Sequence, residues 1–501
     1  MKPMHADLRQ AKVLALLPGE YFSILKEIYR YGKQHLEWRI FPLIASDDLG
    51  PYAALLSSPM DKIVLPDIAS CATWEKDQRQ VARIRALMAD CEIQVDIPIY
   101  RLLLANERSI GRAYAKTHYY WPEREIAQRV LKDSRWCDIA LMRLFQFAWD
   151  VIERYRPDFC LGSPTGGLFN TVFYYVTTHQ KIPYLACNAT LVTPGCHFWA
   201  SQWGSFIEGV DERFKQYCEE KRVPSIESLQ YVERFQEAPK PLPHYQQMWQ
   251  QRANRLSFIH IHYEIASRVI LRMLPIIKRQ RVTNPKPLVS YVIDRYRNYW
   301  LYHRQKKYYR TFSAEELSKM NYIYYPFHLD PEIVLNVQAP FWHNQYNTIR
   351  LLSYNLPFGF RLLVREHRYN VGRRPTRYLR ELARLPGVIW IDAFDDQYKY
   401  IRQAKLVVTV NGTSGFEGIL LRRPVFTLDR TFYDALSIAT RFDSRIDFGT
   451  QLLRAIHNPL PYASHYNERI ALFMDAEKAV VLPRGSAPEE EVRVIQDKLI
   501  N

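Results

Sequence analysis

The sequence lacks any long apolar run. A membrane-spanning helix requires about 18 consecutive apolar residues. In the 501-residue sequence, no apolar run approaches that length. The apolar part of the N-terminal stretch MKPMHADLRQAKVLALLPGEYF is too short and too interrupted for a signal peptide. These absences predict a cytoplasmic protein.

Cysteine is scarce: there are seven, an odd number, and none forms a C-x-x-C pair. This pattern predicts free thiols in a reducing compartment and argues against a disulfide framework or a zinc site. His260, His262 and Glu264 are of ligand type, but no completing ligand lies at a suitable spacing, so structural roles are favoured and no metal is expected.

Two nucleotide-binding signatures are also missing. The chain contains neither G-x-G-x-x-G nor a Walker A sequence, which argues against a dinucleotide fold of the usual kind, and no cofactor is predicted. We find no internal repeat and no low-complexity tract.

The chain has an excess of positive charge. Its formal net charge is +16, and the segment 268–310 contains twelve Lys or Arg and one acid, Asp294. Such a segment attracts polyanions such as nucleic acid, anionic lipid headgroups or a phosphorylated acceptor. A solvated helical face explains it equally well, so peripheral attachment to the inner membrane is left open.

The length predicts two domains, because one hydrophobic core rarely organises so many residues. We expect an N-terminal α/β domain with helical insertions over 1–285 and a C-terminal nucleotide-binding domain over 286–460. A helical tail over 461–501 would pack back on the first domain. The residues between the two α/β parts are mostly helical and basic.

The first half shows two strand–loop–helix units. A strand over 11–17 leads into Pro18, Gly19 and Glu20 and then a helix. A second strand leads into the loop 163–167, a helix through His179 and a strand over 184–187. This spacing predicts a parallel sheet with crossover helices.

The second half is clearer. Between residues 322 and 428, five apolar strands alternate with four helices, which predicts a Rossmann-like doubly wound sheet. Ligands bind such sheets at the carboxyl ends of the strands. The loops that follow each strand are therefore the candidate ligand sites.

The strongest of these loops is the segment 409–418, where a buried strand runs into Gly412, Thr413 and Ser414 at the start of a helix. Free N–H groups at a helix start favour an anion, and the glycine permits close approach. Glu417 lies one turn later and could accept hydrogen bonds from ribose. Ser414 and Glu417 also fit a capping box, which would need no ligand.

Two further loops carry ionisable groups. Arg365, His367 and Arg368 follow the second strand and could bind phosphate or stabilise a departing nucleotide. The loop after the first strand offers His328, Asp330 and Glu332. A single histidine after a strand is more often an ordinary loop residue.

Three sequence blocks together resemble the capsule polysaccharide biosynthesis family, which includes bacterial Kdo transferases of GT-B fold. They are YPFHLDPE (325–332), LPFGFRLLVREH (356–367) and VVTVNGTSGFEGILLRRPV (407–425). The resemblance implies an α/β protein of GT-B type, with two Rossmann-like domains facing a cleft and a metal-independent glycosyltransferase activity.

The resemblance also implies residue roles. His367 corresponds to the histidine of the family's Lys-Glu-His-Pro motif at the donor phosphate. Thr413 and Ser414 correspond to its hydroxyl pair, and Glu417 to its acid near the ribose. Arg365 replaces the lysine and keeps the charge, whereas Arg368 replaces the proline and removes a fixed φ.

In a GT-B arrangement the N-terminal loops would bind the acceptor. The candidates are Gly19, Glu20, Ser163, Thr165 and Gly166, with Glu20 as the base or nucleophile. A glutamate in a first loop can equally be the N-terminal acid of a helix.

The leading hypothesis is transfer of a sugar from a CMP-Kdo-like or UDP-linked donor to a bacterial surface polysaccharide or glycolipid. One alternative is a CDP-glycerol-type polyol-phosphate transferase, which shares the fold. The other is a non-catalytic basic protein that binds nucleic acid or lipid. No nucleic-acid-binding module is recognisable, so nucleic acid is not expected as the partner.

Overall fold

The computed structural model describes residues 8–16, 22–44, 63–64, 78–102, 135–162, 168–193, 195–201, 203, 206–240, 258–277, 288–329, 334–457 and 465–500. The chain forms two compact units, each with its own sheet. The first comprises Met1–Arg112, Tyr120–Glu208 and Val480–Asn501, and the second comprises Ala113–Tyr119 and Gly209–Ala479.

The first unit contains a seven-stranded sheet of order β13-β6-β5-β4-β1-β2-β3. Its strands are β1 (Lys12–Leu16), β2 (Arg39–Ile44), β3 (Ile63–Val64), β4 (Phe159–Gly162), β5 (Tyr184–Ala189), β6 (Cys196–Ala200) and β13 (Leu482–Pro483). Five neighbouring strands, β3, β2, β1, β4 and β5, run parallel to one another. Strand β6 pairs antiparallel with β5, and β13 pairs antiparallel with β6 at the edge. The chain winds outward in both directions from the β1–β4 pair, as expected for a doubly wound sheet.

Helices cover both faces of this sheet. They are α1 (Phe22–His35), α2 (Gln78–Val95), α3 (Arg135–Tyr155), α4 (Leu168–His179) and α16 (Pro488–Ile500). Along β1, Val13 and Ala15 belong to the core with α1 and α16, whereas Leu14 and Leu16 belong to the core with α2, α3 and α4. A strand buried on both faces needs an uninterrupted apolar sequence, which explains the run at residues 13–16.

The C-terminal helix α16 completes the first unit. It packs against α1, and the buried Glu491 accepts a hydrogen bond from Trp199 Nε1 at 3.0 Å. The His197 Nε2 atom lies 2.8 Å from the same carboxylate. The chain therefore returns to the first unit after completing the second.

The second unit is built on a six-stranded, fully parallel sheet of order β12-β11-β10-β7-β8-β9. Its strands are β7 (Tyr322–Pro326), β8 (Arg361–Arg365), β9 (Val388–Ile391), β10 (Leu406–Thr409), β11 (Val425–Thr427) and β12 (Thr440–Arg441). The predicted doubly wound α/β fold is confirmed, and β12 is a strand that the sequence pattern did not predict.

The helices of the second unit are α5 (Val210–Glu219), α6 (Ile226–Glu237), α7 (Phe258–Ile277), α8 (Leu288–Gln305), α9 (Ala314–Ser318), α10 (Gln345–Tyr354), α11 (Thr376–Leu382), α12 (Gln397–Gln403), α13 (Thr413–Leu420), α14 (Phe448–His457) and α15 (Tyr466–Lys478). Short 3-10 turns occupy Lys306–Tyr308, Pro340–Trp342, Arg368–Asn370 and Asp434–Leu436, and a π-helical turn occupies Val334–Gln338. Among the described helices, none combines the length and apolar character that crossing a bilayer demands.

The chain passes between the units after residue 208 and returns at residue 480, whereas the sequence placed the boundary after residue 285. The reason is helix packing: α5 and α6 lie against α15, with the Phe214 and Phe473 rings 5.6 Å apart. Asp475 accepts hydrogen bonds from the hydroxyls of Ser225 and Ser228, both at 2.6 Å. Such contacts between distant segments leave no periodic signal in the sequence.

Candidate functional site

The site lies where the sheet of the second unit reverses its winding. Strands β7 and β10 are neighbours, yet the chain leaves them in opposite directions across the sheet. In open α/β sheets the crevice at such a switch point, beyond the carboxyl ends of the strands, is the usual ligand site. Here β7 leads to His328, and β10 leads to Gly412 and helix α13.

Helix α13 begins with open backbone donors. Gly412 is its N-cap, with φ −83° and ψ 167°, and no side chain caps this end. The N–H groups of Thr413 and Ser414 have no acceptor among the residues that the structure describes. Because Ser414 is inside the helix, the capping box that the sequence allowed for Ser414 and Glu417 is not formed.

The imidazole of His328 is held against this helix start. Its Nε2 atom lies 3.1 Å from Thr409 Oγ1 and accepts from the Val410 N–H at 3.3 Å. Thr409 Oγ1 accepts from the Gly412 N–H at 3.2 Å, so its own proton is directed to the imidazole. With Nε2 accepting, the ring proton is on Nδ1.

His328 is a neutral hydrogen-bond donor. Burial disfavours the charged imidazolium and lowers the pKa of His328 to about 4. Gln345 fixes the backbone of the same residue, accepting its N–H at 2.8 Å and donating to its carbonyl at 3.2 Å. In the described part of the chain, Nδ1–H has no acceptor, so it remains available to a ligand.

Glycine is required at position 412 because of the imidazole. A Cβ on this residue would lie 2.7 Å from His328 Cε1, closer than real Cβ contacts, and 3.4 Å from Nδ1. The same short distances place Nδ1 beside the first turn of α13. The helix N–H groups, the two hydroxyls and the imidazole N–H thus converge on one small region.

His367 occupies the equivalent position on the next strand. β8 pairs with β7 so that Arg365 is opposite Pro326, and His367 and His328 both lie two residues beyond that pair. His367 Nδ1 accepts from the Tyr369 N–H at 3.3 Å, and the two rings stack with centroids 5.8 Å apart. The proton of a neutral His367 is therefore on Nε2.

A buried ion pair supports this loop. Glu366 accepts the His367 N–H at 2.8 Å and the Arg374 Nε–H at 2.6 Å, and both charged side chains are almost fully buried. The Arg374 guanidinium also lies over the rings of Phe327 and Tyr378, at 4.8 and 5.2 Å. Together these contacts determine where His367 emerges from the sheet.

Arg368 stands where the family motif has proline, and the turn accommodates it. Arg368 is the first residue of the 3-10 turn Arg368–Asn370, a position where a proline is also tolerated because no helical N–H bond is lost there. Its Nε–H donates to the Ala393 carbonyl at 2.9 Å. Burial and the neighbouring Arg365 guanidinium lower the pKa of Arg368 to about 10.

Arg365 binds protein atoms. It is buried, and its guanidinium donates to the carbonyls of Ala393 at 2.6 Å and Asp395 at 3.1 Å. It also donates to Gln397 Oε1 at 2.9 Å. Arg365 therefore connects the end of β8 to the loop after β9 and to the start of α12.

Glu417 is connected to Arg365 through Gln397. Its carboxylate accepts from Gln397 Nε2 at 3.1 and 3.2 Å and from the Tyr398 hydroxyl at 3.0 Å. Burial raises the pKa of Glu417 to about 7, while the Tyr398 hydrogen bond and the charge of Arg365 act in the opposite direction. The side chain is only partly buried, so it keeps access to solvent.

Gln397 and Tyr398 belong to the site because they contact Glu417, but the sequence patterns did not predict them as site residues. They follow the loop after β9. The carboxyl end of β9 lies at the same edge of the sheet as the carboxyl ends of β7, β8 and β10. Asp396 caps α12 by accepting from the Tyr398 N–H at 3.0 Å, a signal that was readable in the sequence.

The acceptor-side candidates Gly19, Glu20, Ser163, Thr165 and Gly166 lie outside the described residues, as do Asp330 and Glu332. Strand β1 precedes Gly19 and Glu20 in the chain, and strand β4 precedes the other three acceptor-side candidates. These two strands are adjacent and parallel in the first sheet.

The two histidines of α7 lie close to protein groups. Glu264 pairs with Arg295 at 2.5 Å, and His262 Nε2 lies 2.9 Å from the Tyr296 hydroxyl. His260 Nε2 lies 3.5 Å from Glu264. Across the described residues, no group of three potential ligands is arranged around a common point.

Comparison with known proteins finds a family similarity within the second unit. Residues 224–447 match the family model described as capsule polysaccharide biosynthesis protein. No curated protein matches the chain.

Solved structures share the general fold only remotely. The beta Kdo 2,7 transferase KpsC of Thermosulfurimonas dismutans is 9% identical with a TM-score of 0.32, over 71% of this chain and 96% of its own. Its beta Kdo 2,4 transferase is 12% identical with a TM-score of 0.32, over 69% and 88%. The UDP-GlcNAc 2-epimerase of Neisseria meningitidis is 11% identical with a TM-score of 0.31, over 97% and 100%.

The matched segment 224–447 contains β7 to β12 and every residue of the site described above. The similarity to the capsule polysaccharide biosynthesis family is thus carried by this segment, which is somewhat less than half of the chain.

Proposed function

We propose that this chain is a GT-B glycosyltransferase that moves a sugar from a nucleotide donor to a bacterial surface polysaccharide or glycolipid. The donor would be CMP-Kdo-like or a UDP-sugar. The observation that supports this most directly is the helix start of α13 beside the neutral His328 imidazole, at the switch point of a doubly wound sheet. Such a site binds an anion through neutral donors.

The donor phosphate would lie at Gly412, Thr413 and Ser414. The open N–H groups of the helix start, the two hydroxyls and the Nδ1–H of His328 all donate hydrogen bonds. His367 would donate from Nε2 to an oxygen of the departing nucleotide, since its Nδ1 is occupied by a backbone N–H. Charge that develops on the leaving group is stabilised in this way by positioned donors, and no metal ion is required.

Glu417 would accept hydrogen bonds from the ribose hydroxyls. Arg365, a candidate phosphate ligand from its place after the strand, is proposed to act through Gln397, because its guanidinium is occupied by carbonyl oxygens and the glutamine amide. Gln397 then orients the carboxylate of Glu417. Arg365 is a positioning residue in this arrangement.

The acceptor would bind the first unit. Loops that contain Gly19 and Glu20, and Ser163, Thr165 and Gly166, follow the neighbouring parallel strands β1 and β4, at the switch point of the first sheet. Glu20 is proposed as the base or nucleophile. The basic segment 268–310 would bring the enzyme to an anionic membrane surface, where such acceptors are assembled.

A thermal-shift screen of CMP, UDP, CDP and GDP tests the donor site. Selective stabilisation by one nucleotide identifies the donor class, because a ligand that binds only the folded state raises its melting temperature. His328→Ala should abolish the shift, and Gly418→Ala, at a glycine that packs on Val425 and Val407, is the matched control.

Transfer assays with labelled CMP-Kdo, UDP-sugars and CDP-glycerol in parallel test the chemistry. Turnover of a nucleotide sugar supports the proposal. Turnover of CDP-glycerol alone would replace it with a polyol-phosphate transferase, and RNA binding without nucleotide affinity would replace it with a basic binding protein.

A further inference from the structure

Helix α8 buries polar side chains and exposes large apolar ones. Among its positions whose burial the structure describes, Arg295, Asn298 and Gln305 are buried, whereas Ile293 is 59% exposed and Trp300 is 61% exposed. A helix that faces water normally buries its apolar stripe and exposes its polar residues. The outer face of α8 therefore suits an apolar environment.

The inner face of α8 explains why its polar residues are buried. Gln305 Nε2 donates to the Arg374 carbonyl at 2.6 Å, and Arg295 pairs with Glu264 of α7 at 2.5 Å. The Asn298 carbonyl would lie 2.3 Å from a Cβ on Gly372, so the backbones of α8 and the loop after β8 are in close contact. These contacts fix the orientation of the helix and keep Ile293 and Trp300 outward.

Helix α7 also exposes large apolar side chains. Ile259, Tyr263 and Ile270 are 81%, 69% and 58% exposed. They are spaced by four and seven residues and so lie along one side of the helix. Single exposed apolar residues are common on soluble proteins, but a stripe of this kind marks an interaction surface.

The two helices are joined at one end by aromatic side chains. The Phe258 and Tyr299 rings have centroids 5.6 Å apart, and Tyr299 and Trp300 are also 5.6 Å apart. His262 Nε2 lies 2.9 Å from the Tyr296 hydroxyl. The start of α7 therefore lies beside the end of α8, and we call this pair the α7–α8 hairpin.

Positive charge borders the apolar face of the hairpin. Arg304 is exposed and lies four residues after Trp300, on the same side of α8. Lys306 and Lys307 follow immediately and are exposed. Trp and Tyr with flanking Lys and Arg are the composition of helices that lie in the interface of an anionic bilayer.

We propose that the α7–α8 hairpin lies in the plane of an anionic lipid membrane and inserts Ile259, Tyr263, Ile270, Ile293 and Trp300 below the headgroups. This inference rests on the membrane location given under the proposed function and specifies how the chain attaches to the membrane. Attachment would combine insertion of apolar side chains with attraction between opposite charges. The occupant is a phospholipid surface, because the bordering charges match phosphate headgroups and the exposed aliphatic and aromatic groups match acyl chains.

Vesicle sedimentation of the full chain, without any donor, tests this. The chain should bind vesicles of phosphatidylcholine mixed with phosphatidylglycerol and should keep a substantial part of that binding at about 1 M salt, where charge attraction is screened within about 3 Å. Trp300→Ser and Ile259→Ser should each weaken binding about tenfold, since burying one such side chain is worth at least this factor. Phe358→Ser, at a fully exposed aromatic residue outside the hairpin, should have no effect.

Other results would overturn the proposal. Binding that is lost completely at high salt and is insensitive to Trp300→Ser would show electrostatic attachment alone. Concentration-dependent dimerisation that Trp300→Ser abolishes, without vesicle binding, would show that a second copy covers the face. Circular dichroism and the melting temperature without ligand establish that the variants are folded. Neither measurement depends on a nucleotide, so failure of the donor assignment would leave this test unaffected.

Discussion

Gly412→Ala is the most direct test of how the proposed donor site is built. The backbone at position 412 has φ −83°, which any residue adopts, so alanine introduces no backbone strain. Its Cβ would lie 2.7 Å from His328 Cε1 and 3.2 Å from Thr409 Oγ1. The imidazole must move, and its hydrogen bonds to Thr409 and Val410 must lengthen.

Two costs follow from this displacement. Overpacking at a buried site lowers the free energy of unfolding by about 1–3 kcal/mol, which is about 2–4 °C in melting temperature per kcal/mol for a domain of this size. If the Nδ1–H of His328 donates to the donor phosphate, losing that bond weakens nucleotide binding about tenfold to a hundredfold, because a hydrogen bond to a charged group is worth about 1.5–3 kcal/mol.

A double-mutant cycle with His328→Ala isolates the clash. In the His328→Ala background the methyl group has room, so Gly412→Ala should cost at most about 1 kcal/mol, the preference for glycine over alanine at an N-cap. Gly418→Ala is the control: its Cβ would meet Val425 at 3.0 Å, so it should lower stability without altering nucleotide affinity. Calorimetry and isothermal titration with the selected nucleotide supply both quantities. Additive effects of the two substitutions, or unchanged affinity in Gly412→Ala, would refute the reasoning.

Four further substitutions test the surrounding network. The folded-state pKa of Glu417 is raised to about 7, so nucleotide affinity should fall as pH drops through 7. In Glu417→Gln, nucleotide affinity should become pH-independent. Because the folded-state pKa is raised, the wild type should also lose stability relative to this variant as pH rises from about 4.5 through 7. A flat wild-type profile would remove Glu417 from the ribose site. Tyr398→Phe deletes a hydrogen bond that lowers this pKa and should move the midpoint of the affinity profile upward; a stability loss with an unmoved midpoint would indicate a purely structural tyrosine. His367→Ala should reduce turnover more than it weakens binding of the free nucleotide, and normal turnover would exclude it from the chemistry. Glu366→Gln leaves the Arg374 guanidinium buried without its carboxylate and should cost about 3–5 kcal/mol by denaturant unfolding; a loss below 1 kcal/mol would show that the pair is not important for the loop.

The fold of the second unit was predictable because its signals are local. Apolar strands such as 406–409 and 322–326 are bounded by turns and separated by amphipathic helices, and those patterns depend only on neighbouring residues. The helix start at Gly412 could be located to within a residue or two for the same reason. The confirmed parallel order then follows from the right-handed crossover of successive strands.

The partners within the site could not be read in the same way. Ser414 and Glu417 match a capping box in sequence, but the N-cap is Gly412, two residues before Ser414, and Glu417 instead accepts from Gln397 and Tyr398 of a different helix. Arg365 resembles a phosphate ligand until its carbonyl partners at Ala393 and Asp395 are seen. In each case the competing partner is distant in sequence.

By itself, the sequence determined where the strands, the helices and the glycine turn of the second unit occur, because these depend on hydrophobic period, turn chemistry and helix propensity over a few residues. The tertiary structure alone decided which groups meet: the His328 imidazole against Gly412, Arg365 turned toward Gln397, and the apolar side of α8 facing outward. Such pairings depend on how segments tens of residues apart pack and on which polar atoms must be satisfied when they are buried, and no local pattern encodes that.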